Sequence, residues 1–353
     1  MNHKQINCRN GTESVTTVIN PLRGEEMLKK GLKVVLLLLL IILIGLAGFY
    51  LYATLVEGRS AQSKAVEVAL GFMDSDHWAD EEKFAAFMEL KSSENLEPYV
   101  LPEKTKERYA IIHDNFEGMD YYILTGGSDP SRRQIIYLHG GAYINQPLSF
   151  HWSFLDRLAG KTDVTITVPI YPKAPHSSYE DSFAKVLPLY EKLLEENSPE
   201  TITLMGDSAG GGFALALAQV LLEKGLPQPG NIILISPWLD ITMTNPEIPV
   251  FEGKDPMLAA YGLAKVGKVY AGDTDPGYYQ LSPINGPVIG LAPITLFIGT
   301  HDLLLPDARL FRDLAAAQGV IINYFEYPMM IHCFVVMPIP EAEDALDKIV
   351  ELL

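Results

Sequence analysis

Ser208 stands in the run Gly206-Asp207-Ser208-Ala209-Gly210, after the apolar, β-branched stretch Thr201–Met205 and before the Ala- and Leu-rich stretch Phe213–Lys224, which ends at Gly225. A serine at the apex of a strand-to-helix turn has strained backbone, and only small residues two positions to either side let strand and helix approach. Such a turn lifts the hydroxyl out of a sheet and faces it with the free N–H groups and positive end of the following helix. The chemistry offered is a nucleophilic hydroxyl beside an anion site. A glycine-rich helix start with serine as N-cap uses the same residues, so the reading depends on finding a base, an orienting carboxylate and oxyanion donors elsewhere.

All three have candidates. In QIIYLHGGAY, residues 134–143, Ile135–Leu138 reads as a buried strand, and His139-Gly140-Gly141 follows where it leaves the sheet. Two glycines there can turn backbone N–H groups toward a substrate carbonyl, so Gly140 and Gly141, with the amide of Ala209, are the expected oxyanion hole. In ITLFIGTHDLLLPDARLF, Ile294–Ile298 is a strand pattern, Gly299 and Thr300 break it, and Asp302 falls in the loop. Asp307 and Asp313 lie on the helix that Pro306 opens, where they serve its first turn and solvated face. His332 lies beyond the aspartate, between the strand pattern Ile322–Tyr327 and a last helix, Glu341–Leu353. His301, beside Asp302, is a second candidate for the base. The order serine, aspartate, histidine is that of α/β-hydrolases, whereas trypsin-like proteases are all-β and place histidine and aspartate first. Together the residues predict acyl transfer through a serine ester.

HGGAY, YPKAP, GDSAGG, SPWLD, DPML, GTHDLLLPDA and MIHCF occur in one order over residues 115–353. The set resembles the hormone-sensitive-lipase-like branch of the α/β-hydrolases. That resemblance implies a mostly parallel central sheet flanked by helices, and carboxylesterase or lipase activity on small to medium esters. It also implies Ser208, Asp302 and His332 as triad, with Gly140, Gly141 and Ala209 as oxyanion donors. Many members carry a third glycine where this chain has Ala142, a change that bears on the fit around the acyl or alcohol group. The resemblance further suggests a helical cap, in which the amphipathic segment Ala61–Arg108 joins an insert at Asp240–Gly277; a plain stalk packed on the body is the alternative. Tyr143, Tyr171 and Trp238 are candidates for the substrate pocket, although Tyr171 and Trp238 could equally pack beneath it.

The N-terminus adds another element. Val34–Val56 contains no charged residue, and its helix of about 35 Å crosses a hydrocarbon core of about 30 Å. Lys4, Arg9, Arg23, Lys29, Lys30 and Lys33 precede it, while only Arg59 and Lys64 follow closely. The positive-inside rule therefore puts residues 1–33 in the cytoplasm and the body from residue 57 outside. Gly45-Leu46-Ala47 could serve as a signal-cleavage site, which would give a secreted protein, but the apolar run continues to Val56 and favours an uncleaved anchor. Residues 1–33 carry six basic and three acidic side chains, so the net charge of −17 leaves −20 for the remainder. So acidic a body is no partner for nucleic acid. Its partners are an ester substrate and, through the helix, the bilayer. Cys8 and Cys333 fall on opposite sides of the membrane, which leaves no pair within the body; Cys333 is expected to pack.

No Walker sequence, dinucleotide fingerprint or spaced Cys/His cluster occurs, so neither cofactor nor metal is expected. An amidase or peptidase with the same triad remains open. A surface binding module on a hydrolase scaffold would have lost some of the serine, histidine or oxyanion glycines, and here all are present.

Overall fold

The computed structural model describes residues 21–72, 81–103, 105, 111–126 and 133–353, with side chains from Met27 onward. The tail with Cys8, and the parts of the expected helical segment at 73–80, 104 and 106–108, lie outside the described residues. The chain forms two compact units, Met1–Tyr52 and Ala53–Leu353.

Helix α1 (Pro21–Leu51) lies in the first unit and is followed by a π-helical turn, Tyr52–Val56, most of which belongs to the second. The run Met27–Val56 has a mean hydropathy of 3.0, and no residue of its apolar 18-residue window is buried, although Ala53 in the turn is. By length and composition it could cross a membrane, as an anchor or as a signal sequence.

The second unit is built on eight strands: β1 (Ile111–Phe116), β2 (Met119–Thr125), β3 (Gln134–Leu138), β4 (Thr165–Pro169), β5 (Ile202–Asp207), β6 (Asn231–Ile235), β7 (Ile294–Gly299) and β8 (Asn323–Tyr327). They lie in the order β1-β2-β4-β3-β5-β6-β7-β8. β2 pairs antiparallel with β1 and β4, and every other pairing is parallel. The central strands are continuous Ile, Leu and Val runs because both faces are covered, and successive residues divide between the two faces. Ile136, Leu138, Leu204, Ile232 and Leu234 join one core with α5 (Tyr179–Glu196), α6 (Ala209–Glu223) and α9 (Leu305–Ala317). Ile135, Tyr137, Met205 and Ile233 join the other with α4 (Ser149–Lys161) and α10 (Pro340–Leu352). The expected strands and helices are found, shifted by a residue or two at their ends, except that α6 starts four residues earlier than its composition suggested.

The amphipathic stretch after α1 is divided in two. α2 (Ala61–Gly71) packs on α10, whereas α3 (Glu81–Glu94) turns Phe84 into the first core. After β6 the insert carries α7 (Ile248–Phe251) and α8 (Ala260–Ala271). Glu81 of α3 accepts hydrogen bonds from Tyr261 (2.6 Å) and Lys265 (2.6 Å) of α8.

The approach of α6 to the sheet is as close as backbone allows. A Cβ on Gly210 would lie 1.9 Å from the Leu138 carbonyl oxygen, and one on Gly206 2.3 Å from the Gly210 carbonyl oxygen. Neither obstacle is a movable side chain. Gly210→Ala should therefore destabilise the protein by about 3 kcal/mol; a urea midpoint equal to that of the wild type would contradict the packing.

Candidate active site

The ends of β3, β5, β7 and β8 converge on one place, the crevice at the carboxyl ends of parallel strands. Ser208, one residue past β5, has φ 52° and ψ −124°. The strain is held by three backbone bonds: its N–H donates to Ile235 O (2.9 Å), and its carbonyl accepts from Gly212 (3.1 Å) and Trp238 (2.9 Å).

Ser208 Oγ lies 2.9 Å from His332 Nε2, and His332 Nδ1 lies 3.1 Å from each carboxylate oxygen of Asp302. Nδ1 therefore carries the proton and donates to Asp302, while Nε2 is free to accept from the hydroxyl. Asp302 is 0%, His332 3% and Ser208 9% exposed, so the chain of groups opens outward only at the serine. Burial opposes charge on His332, but the charge and hydrogen bond of Asp302, with the further charges of Asp255 and Asp207, raise its pKa above the ordinary imidazole value. His301 is not brought to Ser208; its Nδ1 lies 3.5 Å from Glu67.

Three residues that sequence reasoning left without a role complete the site. Buried Asp207 accepts from Tyr137 Oη (2.5 Å) and the Gly140 amide (2.9 Å), and lies 3.2 Å from His151 Nε2. His151 Nδ1 accepts from the Leu148 amide (2.8 Å), so its Nε2–H is the donor to Asp207. Asp255, buried in the insert, accepts from Met257 N (2.8 Å) and from Leu303 N (3.1 Å), the amide next to Asp302. One potential ligand atom from each of Asp255, Asp302 and His332 lies within 4.8 Å of the others. Burial, then the Asp302 charge, pushes the Asp255 carboxyl above the usual range. Ser236, with φ 45°, accepts the Cys333 amide at its Oγ (3.0 Å) and so fixes the residue after the base. The motifs GDSAG, DPML and SPW contain all three residues, but nothing in their spacing says what they would touch.

Gly140 requires a correction. Its N–H is spent on Asp207, and a Cβ there would meet Asp207 Oδ2 at 2.2 Å; the glycine makes room for a carboxylate and its amide is not available to an oxyanion. Gly141 (φ 117°) and Ala142 (φ 54°) follow in the left-handed region, and the N–H groups of Gly141, Ala142 and Ala209 have no acceptor among the described residues.

Tyr171 packs beneath this turn. It stacks on His139 at 4.4 Å and donates to the His139 carbonyl (2.6 Å). Tyr143 stacks on Tyr270 (4.1 Å) and on Trp238 (5.7 Å), and all three rings are buried. Cys333 Sγ is 3.3 Å from His332 Nε2 and 3.6 Å from Asp207, with burial pushing the thiol pKa well up. It is a packed thiol, as expected. Asp307 stands in the first turn of α9, as expected, where it is buried and accepts from Asn245 (2.8 Å), and Asp313 is exposed on the solvated face.

Residues 135–336 match the α/β-hydrolase fold family model. The chain belongs to the hormone-sensitive-lipase-like α/β-hydrolases. It is 31% identical to an esterase of Acinetobacter venetianus over 62% of this chain and 73% of that one. It is also 31% identical to the esterase LipU of Mycobacterium tuberculosis, over 72% of this chain and 89% of the relative. The crystal structure of a candidate esterase from Staphylococcus aureus superposes with a TM-score of 0.76 at 28% identity, covering 79% of this chain and 96% of that one. This hydrolase is a carboxylic ester hydrolase with an eight-stranded, mostly parallel sheet.

A base that works as neutral imidazole loses kcat/KM as pH falls through its pKa. Removing the Asp255 charge lowers the His332 pKa, so Asp255→Asn should move the acidic limb of the pH profile to lower pH. A limb that stays in place would show that Asp255 does not act on the imidazole.

Proposed function

We propose that the enzyme hydrolyses small to medium carboxylic esters by way of an acyl-Ser208 intermediate. The unbroken chain from Ser208 Oγ through His332 to Asp302, with links of 2.9 and 3.1 Å, carries this reading. His332 Nε2 takes the hydroxyl proton as Oγ attacks the ester carbonyl, then gives it to the departing alkoxide. Asp302 keeps the imidazole in the Nδ1–H tautomer and stabilises its positive charge. The tetrahedral oxyanion is met by the amides of Gly141, Ala142 and Ala209, with Ala142 in the place first given to Gly140. Ala209 adds the positive end of α6. Water activated by His332 then releases the acid.

In this reading α3 and the insert form a cap over the serine. The bonds from Tyr261 and Lys265 to Glu81 support it, as does Asp255, which brings the insert to the triad. A covered site excludes water and limits acyl length. Helix α1 and its turn span a bilayer, with Arg23, Lys29, Lys30 and Lys33 on the cytoplasmic side and the hydrolase outside.

Ser208→Ala should lower kcat by at least about 1,000-fold while leaving the fold intact. Residual turnover near wild type would remove Ser208 from the mechanism, and faster hydrolysis of long-chain than of short-chain esters would remove the size limit. For topology, protease added to intact cells should digest the hydrolase and spare an epitope in residues 1–33. Protection of the hydrolase would reverse the orientation, and recovery of a soluble form lacking residues 34–56 would show signal cleavage.

A further inference from the structure

The loop that carries Asp302 and the loop that carries His332 are fastened to each other. Thr300 N donates to Tyr327 O (2.9 Å), His301 N to Met330 O (2.9 Å) and Met329 N to Thr300 Oγ (2.7 Å). Gly299 allows the contact, since a Cβ there would lie 2.0 Å from the Met330 carbonyl oxygen.

A third stretch reaches both loops, and it is the chain that follows the apolar helix. The Arg59 side chain is only 1% exposed. Its Nη1 donates to Met329 O (2.9 Å), three residues before His332, and to Glu67 (2.5 Å), while Nε donates to Glu57 (2.6 Å). Glu67, on α2, lies 3.5 Å from His301, the neighbour of Asp302. Lys64 bridges Glu57 (3.1 Å) and Glu67 (2.9 Å) from the solvent side. A buried cation set between carboxylates and a carbonyl is costly to desolvate and costly to break, so it fixes geometry more than it adds stability.

We propose that Arg59 is a positioning residue for the triad, which sets, through Met329 and the Glu67–His301 contact, the separation of the loops bearing His332 and Asp302. The inference rests on the triad reading above. It gives the stretch 57–67 a part in holding the catalytic loops, although none of its hydrogen bonds goes to Ser208.

The same segment offers an internal control. Ser60 N and Oγ donate to Glu341 of α10 (2.6 and 2.8 Å), which fastens the segment to the body without touching either loop. The test uses the full chain in detergent, with active sites titrated to completion by an alkyl fluorophosphonate and kcat expressed per titrated site on a short-chain ester. Arg59→Ala should lower kcat about 10- to 100-fold with KM changed less than about two-fold. Arg59→Lys should recover part of the loss. Glu341→Gln should lower the melting temperature and leave kcat per site unchanged. Should Arg59→Ala fail to fold, Arg59→Lys and Glu67→Gln carry the same comparison. Unchanged kcat per site in the folded Arg59 and Glu67 variants would overturn the proposal, as would equal losses in these variants and Glu341→Gln. Ser208→Ala run alongside separates the two readings: if it turns over ester, the triad assignment itself fails.

Discussion

One buried carboxylate, with no salt bridge to a lysine or arginine among the described residues, organises the site. Asp207 joins β3 through Tyr137, the turn after β3 through Gly140, α4 through His151 and the residue after the base through Cys333. Burial works against its charge, but the His151 contact and the bonds from Tyr137 and Gly140 outweigh it and lower its pKa to about 2. A carboxyl held below its unfolded value contributes stability that is present above about pH 4 and is lost as pH falls toward 2. Ser208 is thus anchored by the residue before it. The strain at Ser208 persists because this network, together with the backbone bonds to β6 and to Trp238, leaves the turn no alternative.

The division of the sheet into two cores serves the same end. Alternate residues of β3, β5, β6 and β7 feed α5, α6 and α9 on one face and α4 and α10 on the other. Ser208 and Asp302 therefore follow strands fixed on both faces, while His332 follows the edge strand β8, whose Tyr324 packs on one core and Phe325 and Tyr327 on the other. Asp302 and His332 depart from neighbouring strands, so a few short bonds suffice to set their distance. Ser236, Asp255 and Arg59 each reach in from outside the sheet to hold one of those departures.

What the sequence disclosed and what it withheld divide along a physical line. Ser208 and Asp302 were legible because each follows closely on an apolar run that must be a strand, and His332 because the order of the three restricts which can meet. α6 was legible from its composition, although glycines concealed its first turn: Gly210–Gly212 are poor helix formers, kept there by the space between backbones. Gly140 misled, because a glycine that admits a neighbouring carboxylate and a glycine that frees an amide look alike in a sequence. Asp207 and Asp255 act through contacts whose partners are set only by the folded chain. Arg59 and Met329 are 270 residues apart. The stretch from Ala61 onward read as one amphipathic segment, since nothing in its spacing says that α2 meets α10 while α3 meets the insert.

Gly140, Gly206, Gly210 and Gly212 all face backbone or a buried carboxylate at distances that exclude even a methyl group. The floor of the site thus has no room for heritable change. The cap proposed above, α3 with the insert from Asp240 to Gly277, has more room for change: the side chain of Val250 is exposed, and that of Tyr261 is held at its hydroxyl by Glu81. The enzyme thus pairs a floor that admits no added methyl group with a proposed cap that does, and a new substrate would be accommodated by altering the second without disturbing the first.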